Sequence, residues 1–449
     1  AIAAVLFGGV ALDTWGPKVS ADPAVRAASA PYEARAVFCP PALGKPASRM
    51  TVTTAARGDE PVTVGFEPAS DERVELTPGT VLESKPPTAR ALDVVGYGAP
   101  VDASVVTSID DPISGVGAAG CASEASTRWF FPEGNSTVTH DERLVIYNPF
   151  PDEAVVNVSL LTPGGEKSKA GLADRAVPSE SSVTLALNDF VLEQKVLGAV
   201  VSATRGRVVA WRLTIARPDQ LPSGVQFTLG ATRTAETWYF PEGAVGTGFR
   251  ERLSVLNPGT DEAIVNVTLV NDARAVPAAG STEVQVPPRS SMEIVLDEAA
   301  LAGERGGAGA IVNSANGVPI VVERTVFYTT QEVDGTASEI GSPSPSLRWL
   351  LGPATSRPDT DSVVLLSASA DRARVSLTLL RPDGRAVEPE RLQDLPLAAG
   401  TRLRIPLSEI TAGEAYTVVV DSTAPVVAER FSYSGGAGDV ASLMGTPLD

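Results

Sequence analysis

The chain is poor in the side chains on which most catalytic and metal sites depend. Its 449 residues include a single histidine, His140, and two cysteines, Cys39 and Cys121. A Ser-His-Asp triad or a catalytic zinc site would have to use His140, and two thiols with one distant imidazole cannot fill a structural zinc shell. The sequence therefore predicts that the protein is not an enzyme, with no catalytic residue, no cofactor and no metal site.

Basic charge is also in short supply. Asp and Glu outnumber Lys and Arg by 54 to 36, which gives a net charge of −18. Such a chain repels polyanions on average, so nucleic acid is excluded as a partner. The hydrophobic content of 43% is enough to support packed domains, and the length exceeds what one hydrophobic core serves.

The N-terminal apolar run is too short to cross a bilayer. Residues 1–12, AIAAVLFGGVAL, are twelve residues, whereas a membrane-spanning helix needs about 20. We interpret residues 1–12 as the tail of a signal or anchor segment and residues 13–35 as a linker. The alternative is that the run is a buried strand or helix of the first domain.

The strongest positive signal is an internal repeat. RWFFPEGNSTVTHDERLVIYNP at 128–149 returns as TWYFPEGAVGTGFRERLSVLNP at 237–258, and a weaker third copy opens at 348 as RWLLGPATS. The gap-free alignment of 128–160 with 237–269 has 17 identities in 33 positions. The motif residues are Trp129, Phe131, Pro132, Gly134 and Asn148 in the first copy, Trp238, Phe240, Pro241, Gly243 and Asn257 in the second, and Trp349 in the third.

This recurrence favours a structural role for the motif. Catalytic groups should recur while a scaffold drifts, yet His140 is replaced by Phe249 in the second copy. A recurring aromatic residue on a first strand most often fills a sandwich core, and Pro-Glu-Gly most often makes a turn. The alternative is that Trp129, Trp238 and Trp349 form a platform on which sugar rings stack.

Each repeat has the pattern of β-strands. VVNVSLL at 155–161 alternates with period two, and turn sequences recur at the spacing of a β-sandwich. Late in each unit, the segments 199–213, 310–324 and 416–430 each predict a hairpin, and LND at 187, LDE at 296 and LSE at 407 each predict a single helical turn. The predicted fold is all-β: tandem immunoglobulin-like β-sandwich domains in an elongated array, a rod of roughly 150 Å.

The units divide the chain into four domains. A divergent sandwich occupies 36–125, where FCPP at 38–41 takes the place of FFPE and VVTSIDDPISGVGA at 105–118 takes that of the late hairpin. Sandwich repeats follow at 126–235, 236–345 and 346–449. Cys39 and Cys121 flank the divergent domain with no other thiol in the chain, so we predict that they form a disulfide, as an exported protein would favour.

Two short motifs suggest ligands, but simpler interpretations exist. GVGAAG at 115–120 matches a nucleotide-binding pattern but lacks the long helix that this fingerprint requires. Asp359 and Asp361 in RPDTDS could supply oxygen ligands to calcium at a domain junction, or they are solvated loop carboxylates.

The repeated motif resembles a known family. WFFPEG…RLVIYNP and WYFPEG…RLSVLNP, each followed by DEAxVNVxL, are similar to the repeats of an actinobacterial family of exported or membrane-anchored proteins classed as a domain of unknown function. The resemblance covers roughly 36–449 and implies an envelope or extracellular setting. It carries over no catalytic residue.

These observations predict a non-enzymatic structural or protein-interaction module of the cell envelope or extracellular space, a multi-domain spacer anchored to a membrane through its N-terminus. The alternative function is that of a carbohydrate-binding accessory protein for envelope polysaccharide assembly. The expected partner is an envelope protein or glycan.

Overall fold

A computed structural model describes residues 35–448 of the chain except for short segments at 42–48, 55–61, 68–72, 77–80, 85–90, 98–100, 110–114, 218–223, 246, 297–305, 331–333, 354–359, 382–384, 412–415 and 434–439. The predicted signal or anchor segment at 1–12 and nearly all of the linker at 13–35 lie outside the described residues. No helix in the part that the structure describes has the length and hydrophobicity of a membrane span.

The first sandwich is built from two four-stranded antiparallel sheets with the orders β1-β6-β3-β4 and β5-β2-β7-β8. Its strands are β1 (Arg35–Cys39), β2 (Arg49–Thr54), β3 (Val62–Glu67), β4 (Arg73–Leu76), β5 (Val81–Ser84), β6 (Leu92–Tyr97), β7 (Val101–Ile109) and β8 (Gly115–Gly120).

The second sandwich pairs a sheet of order β14-β10-β16-β17 with one of order β12-β11-β15-β9, in which β13 also pairs with β11. Its strands are β9 (Arg128–Phe131), β10 (His140–Asn148), β11 (Ala154–Thr162), β12 (Gly165–Lys167), β13 (Arg175–Val177), β14 (Ser181–Ala186), β15 (Gly198–Arg205), β16 (Val209–Ala216) and β17 (Gly224–Leu229), with 3-10 turns at Ala170–Leu172 and Leu187–Asp189.

The third sandwich repeats this plan with the orders β24-β20-β27-β28 and β18-β26-β21-β22, β23 pairing with β21, and a small β19-β25 pair. Its strands are β18 (Thr237–Phe240), β19 (Ala244–Val245), β20 (Phe249–Asn257), β21 (Ala263–Val270), β22 (Ala275–Pro277), β23 (Val284–Val286), β24 (Ser290–Leu296), β25 (Gly306–Gly307), β26 (Gly309–Ser314), β27 (Val321–Thr329) and β28 (Asp334–Ile340).

In the fourth sandwich one long strand, β35, belongs to both sheets. The elements are β29 (Ser346–Leu351), β30 (Thr360–Ser367), β31 (Ala373–Leu380), β32 (Ala386–Val387), a 3-10 turn at Glu390–Leu392, β33 (Leu395–Leu397), β34 (Arg402–Pro406), a helical turn at Ser408–Thr411, β35 (Thr417–Tyr433), β36 (Val440–Met444) and β37 (Thr446–Pro447).

The predicted all-β class and the tandem sandwiches are confirmed. Along β11, Val156, Val158 and Leu160 are buried in the core of the second sandwich, and the residues between them are partly exposed. Helical turns are present at two of the three predicted places, Leu187–Asp189 and Ser408–Thr411. Most of the third, LDE at 296, lies outside the described residues.

The predicted late hairpins are wrong. β15 and β16 lie in opposite sheets of the second sandwich, as do β26 and β27 of the third, so the chain crosses between the layers instead of folding back within one. In the fourth sandwich this crossing is a single strand, because β35 pairs with β31 through Thr417–Ser422 and with β30 through Val426–Tyr433. The turn-like residues between the two halves indicated a hairpin, but period-two alternation does not show to which sheet a strand belongs. The segment 105–118 was predicted to take the place of the late hairpin, but it contains β7 and β8. By strand register, these two strands come one strand later in the sandwich than the predicted hairpin.

The elongated array is also wrong. The last strands of the first three sandwiches, β8, β17 and β28, and the equivalent strand β36 of the fourth are edge strands of the same type of sheet. β8 contacts β17 and β36, and β28 contacts β17 and β36, so the four edge strands close into a cycle. Because the last sandwich touches the first, residues 35–448 cannot extend as a rod.

Glycines allow the edge strands to approach each other. A Cβ atom on Gly117 of β8 would lie 3.0 Å from Val225 and 3.1 Å from Phe227 of β17, and one on Gly224 would lie 2.6 Å from Thr336 of β28. These distances are shorter than side chains tolerate without rearrangement. GVGAAG at 115–120 is therefore a packing motif of strand β8.

The disulfide between Cys39 and Cys121 is confirmed, and the repeat explains its position. The isolated bridges Phe130↔Ala231, Tyr239↔Ser342 and Phe38↔Ala122 are equivalent in three successive sandwiches. In this register Cys39 corresponds to Phe131 and Phe240, and Cys121 corresponds to Gly230 and Gly341. The Phe131 ring covers Gly230, and the Phe240 ring covers Gly341, so closely that a Cβ atom on either glycine would lie 2.6 Å from the ring. The disulfide is thus the covalent counterpart of a phenylalanine packed on a glycine.

We predict that this contact can replace the disulfide. Cys39→Ala with Cys121→Ala should lower the free energy of unfolding of the first sandwich by about 2–5 kcal/mol, the usual range for a lost native disulfide. Cys39→Phe with Cys121→Gly should recover part of the loss, and Cys39→Phe with Cys121→Ala should not, because the alanine methyl meets the ring. Denaturant unfolding of the three variants measures this. A Phe/Gly variant no more stable than the Ala/Ala variant would disprove the equivalence.

Candidate functional site

The Pro-Glu-Gly motif lies at the contact between neighbouring sandwiches. At the junction of the second and third, Arg212 of β16 donates from Nη1 and Nη2 to the two carboxylate oxygens of Glu323 of β27, at 2.7 Å each. Arg212 also donates to the Glu133 carbonyl at 2.7 Å, and the Glu133 backbone N–H donates to Glu323 at 3.2 Å. Arg212, Glu323 and Glu133 are all buried. The motif therefore forms an ionic junction, and the turn predicted at Pro-Glu-Gly is wrong, because residues 132–134 leave β9 without a turn.

The junction of the third and fourth sandwiches repeats this arrangement. Arg324 of β27 donates to Glu429 of β35 at 2.5 Å, and the Glu242 backbone N–H donates to the same carboxylate at 2.9 Å. The Glu242 carboxylate accepts hydrogen bonds from Arg402 and Arg404 of β34, each at 2.9 Å. Ser338 and Ser442 donate to the acceptors Glu323 and Glu429, respectively, each at 2.6 Å.

The other two junctions lack this arginine–glutamate pair among the described residues, and their residues change together. Proline occupies the place of the motif glutamate in the first and fourth sandwiches, as Pro41 and Pro353, and it has no N–H to donate. The sandwiches that face them have Trp211 and Ser104 where the acceptor glutamate would be, according to the strand register. Trp211 instead donates to the Gly120 carbonyl at 3.3 Å, and Ser104 donates to the Pro353 carbonyl at 3.4 Å.

A further buried glutamate accompanies each arginine of the ionic junctions. Burial raises the pKa of Glu142 to about 8, against the opposing attraction of Arg212 and a hydrogen bond from Thr214. Burial likewise raises the pKa of the equivalent Glu251 to about 8, and Arg324 only partly offsets it. In contrast, Arg212 and its other partners outweigh burial and hold the pKa of Glu133 below its ordinary value.

The fourth sandwich uses the same position differently. Asp361 is equivalent to Glu142 and Glu251, and Arg430 is equivalent to Arg212 and Arg324. Arg430 donates to the two Asp361 oxygens at 2.6 and 2.9 Å within its own sandwich, and both residues are buried. Because Arg430 occupies the carboxylate of Asp361, the structure contradicts a calcium ligand there. Asp359 lies outside the described residues.

The other motif residues support this arrangement. A Cβ atom on Gly134 would lie 2.3 Å from the Leu197 carbonyl oxygen, and one on Gly243 would lie 2.2 Å from that of Ala308, so only glycine fits. The carbonyls of Pro132 and Pro241 accept hydrogen bonds from Ser291 and Arg402 of the next sandwich, at 2.7 and 2.8 Å. The side chains of Asn148 and Asn257 bond backbone groups of the turns that follow them, including the carbonyls of Asp152 and Asp261.

The sugar platform is contradicted by burial. Trp129, Trp238 and Trp349 are each 1% exposed. Their indole N–H groups donate to the carbonyls of Val208, Ile320 and Val426 at 2.7, 2.9 and 2.9 Å, in each case where the chain crosses between sheets. Rings that fill sandwich cores have no free face for a sugar.

His140 lies on β10, its Nδ1 atom 3.1 Å from the Thr137 hydroxyl and 3.0 Å from that of Thr139.

A cavity opens where the four edge strands end. It has a volume of about 570 Å³ and draws its walls from all four sandwiches, through Gly120, Leu229, Ile340 and Met444 at or next to the ends of β8, β17, β28 and β36. We call it the four-sandwich cavity. This volume is within the range of small-molecule sites, and sites of this kind are often found where domains meet.

Two carboxyl groups line the four-sandwich cavity. Asp102 of β7 accepts a hydrogen bond from Thr446 at 3.1 Å, and burial raises its pKa to about 6. Glu339 of β28 is bonded by the backbone N–H of Met444, and burial together with Glu429 and Glu323 raises its pKa well above the ordinary value. Among the described residues, no group of three or more His, Cys, Asp or Glu side chains is placed to hold a metal ion.

The sequence contained signals for the junctions but not for the cavity. Glu323-Arg324 and Glu429-Arg430 stand at matching places in the late segments, so their recurrence was visible. Nothing in the sequence joined these pairs to the Pro-Glu-Gly motif of a different domain. Asp102 and Glu339 do not recur between units, and a search for repeated residues omits them.

These features define a class of protein: tandem β-sandwiches closed into a cycle by their edge strands and joined at two junctions through the Pro-Glu-Gly motif. A family described as "Family of unknown function (DUF5719)" matches residues 83–241 and 232–447. The two matches together cover most of the chain, which therefore belongs to this family. No curated protein matches the chain. Similar solved structures include one described as "Crystal Structure of Thermotoga maritima 1070", 21% identical over 24% of this chain and 95% of that chain, with a TM-score of 0.21.

The ionic junction gives a stability prediction. Arg212→Met should cost about 3–5 kcal/mol, because it leaves the buried carboxylates of Glu323 and Glu133 without their main cation. Arg205→Met is the matched control: the Arg205–Glu153 pair is exposed, and its loss should cost less than about 1 kcal/mol. Adding Glu323→Gln and Glu133→Gln to Arg212→Met should recover part of the stability. Equal denaturant midpoints for the two single arginine variants would contradict the prediction.

The raised pKa values of Glu142 and Glu251 predict a pH dependence. Between pH 4.5, the ordinary pKa, and about pH 8, the folded protein keeps these two carboxyls protonated and the unfolded chain does not. The folded state then binds more protons, so the free energy of unfolding should fall as pH rises through this window, by up to about 1.4 kcal/mol per pH unit for each group.

Melting curves from pH 5 to 8 test this dependence. The double variant Glu142→Gln with Glu251→Gln should show a flatter decline than the parent. The control Glu153→Gln, which alters an exposed carboxylate, should keep the parental slope. An unchanged slope in the double variant would show that both glutamates are ionised in the folded protein.

Proposed function

We propose that this protein is a non-enzymatic scaffold of the cell envelope or extracellular space that presents a fixed surface to an envelope partner. The observation that carries the proposal is the set of buried ionic junctions at Arg212–Glu323 and Arg324–Glu429. Each pair joins two sandwiches and forms only in one relative orientation. A spacer made of flexibly linked domains does not need such contacts. A scaffold that holds its domains in one arrangement does need them.

The disulfide supports a location in the cell envelope or extracellular space. Bonds such as Cys39–Cys121 form and persist in oxidising surroundings and are rare in the cytosol. The apolar segment at 1–12 and the resemblance to exported proteins agree with this setting, and anchoring through that segment is part of the proposal. Glycan binding loses its main support, because the three tryptophans are buried.

Fractionation of cells that make the native protein tests the location. We expect the chain in the envelope or secreted fraction, with Cys39 and Cys121 joined in peptides mapped without reduction. Both thiols free in a cytosolic fraction would overturn the proposed compartment.

Crosslinking in intact envelopes tests the scaffold function. The parent and the exposed-pair variant Arg205→Met should capture the same envelope component. A variant opened at one junction, Arg324→Met, should capture much less of it while each sandwich stays folded by limited proteolysis. Equal capture by all three proteins would show that the fixed arrangement of sandwiches is not needed.

A further inference from the structure

The two carboxyl groups of the four-sandwich cavity are not required by the fold. In the strand register, the positions equivalent to Asp102 are Val209, Val321 and Val427 in the other three sandwiches. The positions equivalent to Glu339 are Ala119, Thr228 and Leu443. Every other copy of the scaffold therefore forms with an uncharged residue at each place, and the two acids appear only where they face the cavity.

The hydrogen-bond partners of the two acids are neighbours in the chain. Asp102 is bonded to Thr446 and Glu339 to Met444, two positions apart on one segment of the fourth sandwich. Two residues of extended chain span at most about 7 Å, and both acids line the same cavity. Neither acid forms a salt bridge with an arginine or lysine of the described residues.

The charges around the cavity favour a cation. Glu429 and Glu323 both raise the pKa of Glu339, and Arg324 only partly opposes them. Arg233 also lines the cavity, but its side chain is exposed. A positive group placed between Asp102 and Glu339 would offset the cost of their burial, whereas an anion would increase it.

The rest of the wall is largely apolar. Val37, Leu229, Ile340, Leu350 and Leu443 supply aliphatic surface from all four sandwiches. A bare metal ion would leave this surface in contact with water, and a hydrocarbon group would cover it. The preferred ligand therefore has both a charge and an apolar body.

We propose that the four-sandwich cavity binds a small organic amine, with its ammonium group between Asp102 and Glu339 and its hydrocarbon body against the aliphatic wall. This site does not depend on the proposed scaffold function. The two stand or fall by different measurements, because ligand binding is measured on the purified protein without an envelope partner.

Isothermal titration calorimetry with n-hexylamine tests the proposal, and 1-hexanol is the neutral probe of matched length. At pH 7.5 and low salt we expect saturable binding of one hexylamine per chain, at least tenfold tighter than hexanol. This comparison uses the unaltered protein and so does not depend on the folding of any variant. Equal affinity for the two probes, or no saturable binding of hexylamine, would overturn the proposal.

Variants then locate the site. Asp102→Asn with Glu339→Gln should reduce hexylamine affinity at least tenfold, to the level of hexanol, and Glu339→Gln alone should give part of that loss. The control Glu124→Gln alters an exposed acid beside the cavity and should bind hexylamine as the parent does. Parental affinity in the folded double variant would place hexylamine elsewhere and overturn the proposal.

Discussion

The backbone N–H of the motif glutamate is the group on which the arrangement of the sandwiches depends. In Glu133 and Glu242 this donor points out of its own sandwich and is bonded by a glutamate of the next one. A buried donor without an acceptor is costly, and so is a buried carboxylate without a cation. The acceptor glutamate therefore requires the arginine, and the arginine comes from the sandwich that owns the motif. Each requirement is met across the junction, which ties the two sandwiches in one orientation.

Proline removes the backbone N–H donor at the two junctions that have no acceptor glutamate. Pro41 and Pro353 have no N–H, and the facing positions hold Trp211 and Ser104 instead of glutamate. Equivalent positions of the four junctions thus carry two different chemical solutions. The freed arginine of the last sandwich, Arg430, pairs with Asp361 in its own core. The Asp361 side chain is one methylene shorter than the glutamates at the equivalent positions. The shorter acid therefore occurs in the sandwich where the arginine has changed partners.

The parts of the fold that depend on neighbouring residues could be predicted from the sequence. Alternation located strands such as β11, and the recurrence of Trp129 and Trp238 indicated core residues. The disulfide followed from counting, because Cys39 and Cys121 had no competitor. The junctions could not be predicted in this way, because Arg212 and Glu323 are 111 residues apart and no periodic pattern connects them. A rod was the default for tandem domains with short linkers, and it failed because glycines of strand β8 let another edge strand pack against it.

Equivalent positions in the four sandwiches can be compared to separate residues that the fold needs from residues that serve a function. Four sandwiches in one chain show which residues the scaffold needs, because those residues recur or change together with a partner across a junction. Glu142 and Glu251 satisfy the first condition, and the pairs Pro41–Trp211 and Pro353–Ser104 satisfy the second. Asp102 and Glu339 satisfy neither: three equivalent positions are uncharged in each case, and each acid is held at a cost by burial. A partly buried acid that the scaffold does not need is explained most simply by what it binds. The departures from the repeat, more than the repeat itself, therefore mark the proposed ligand site.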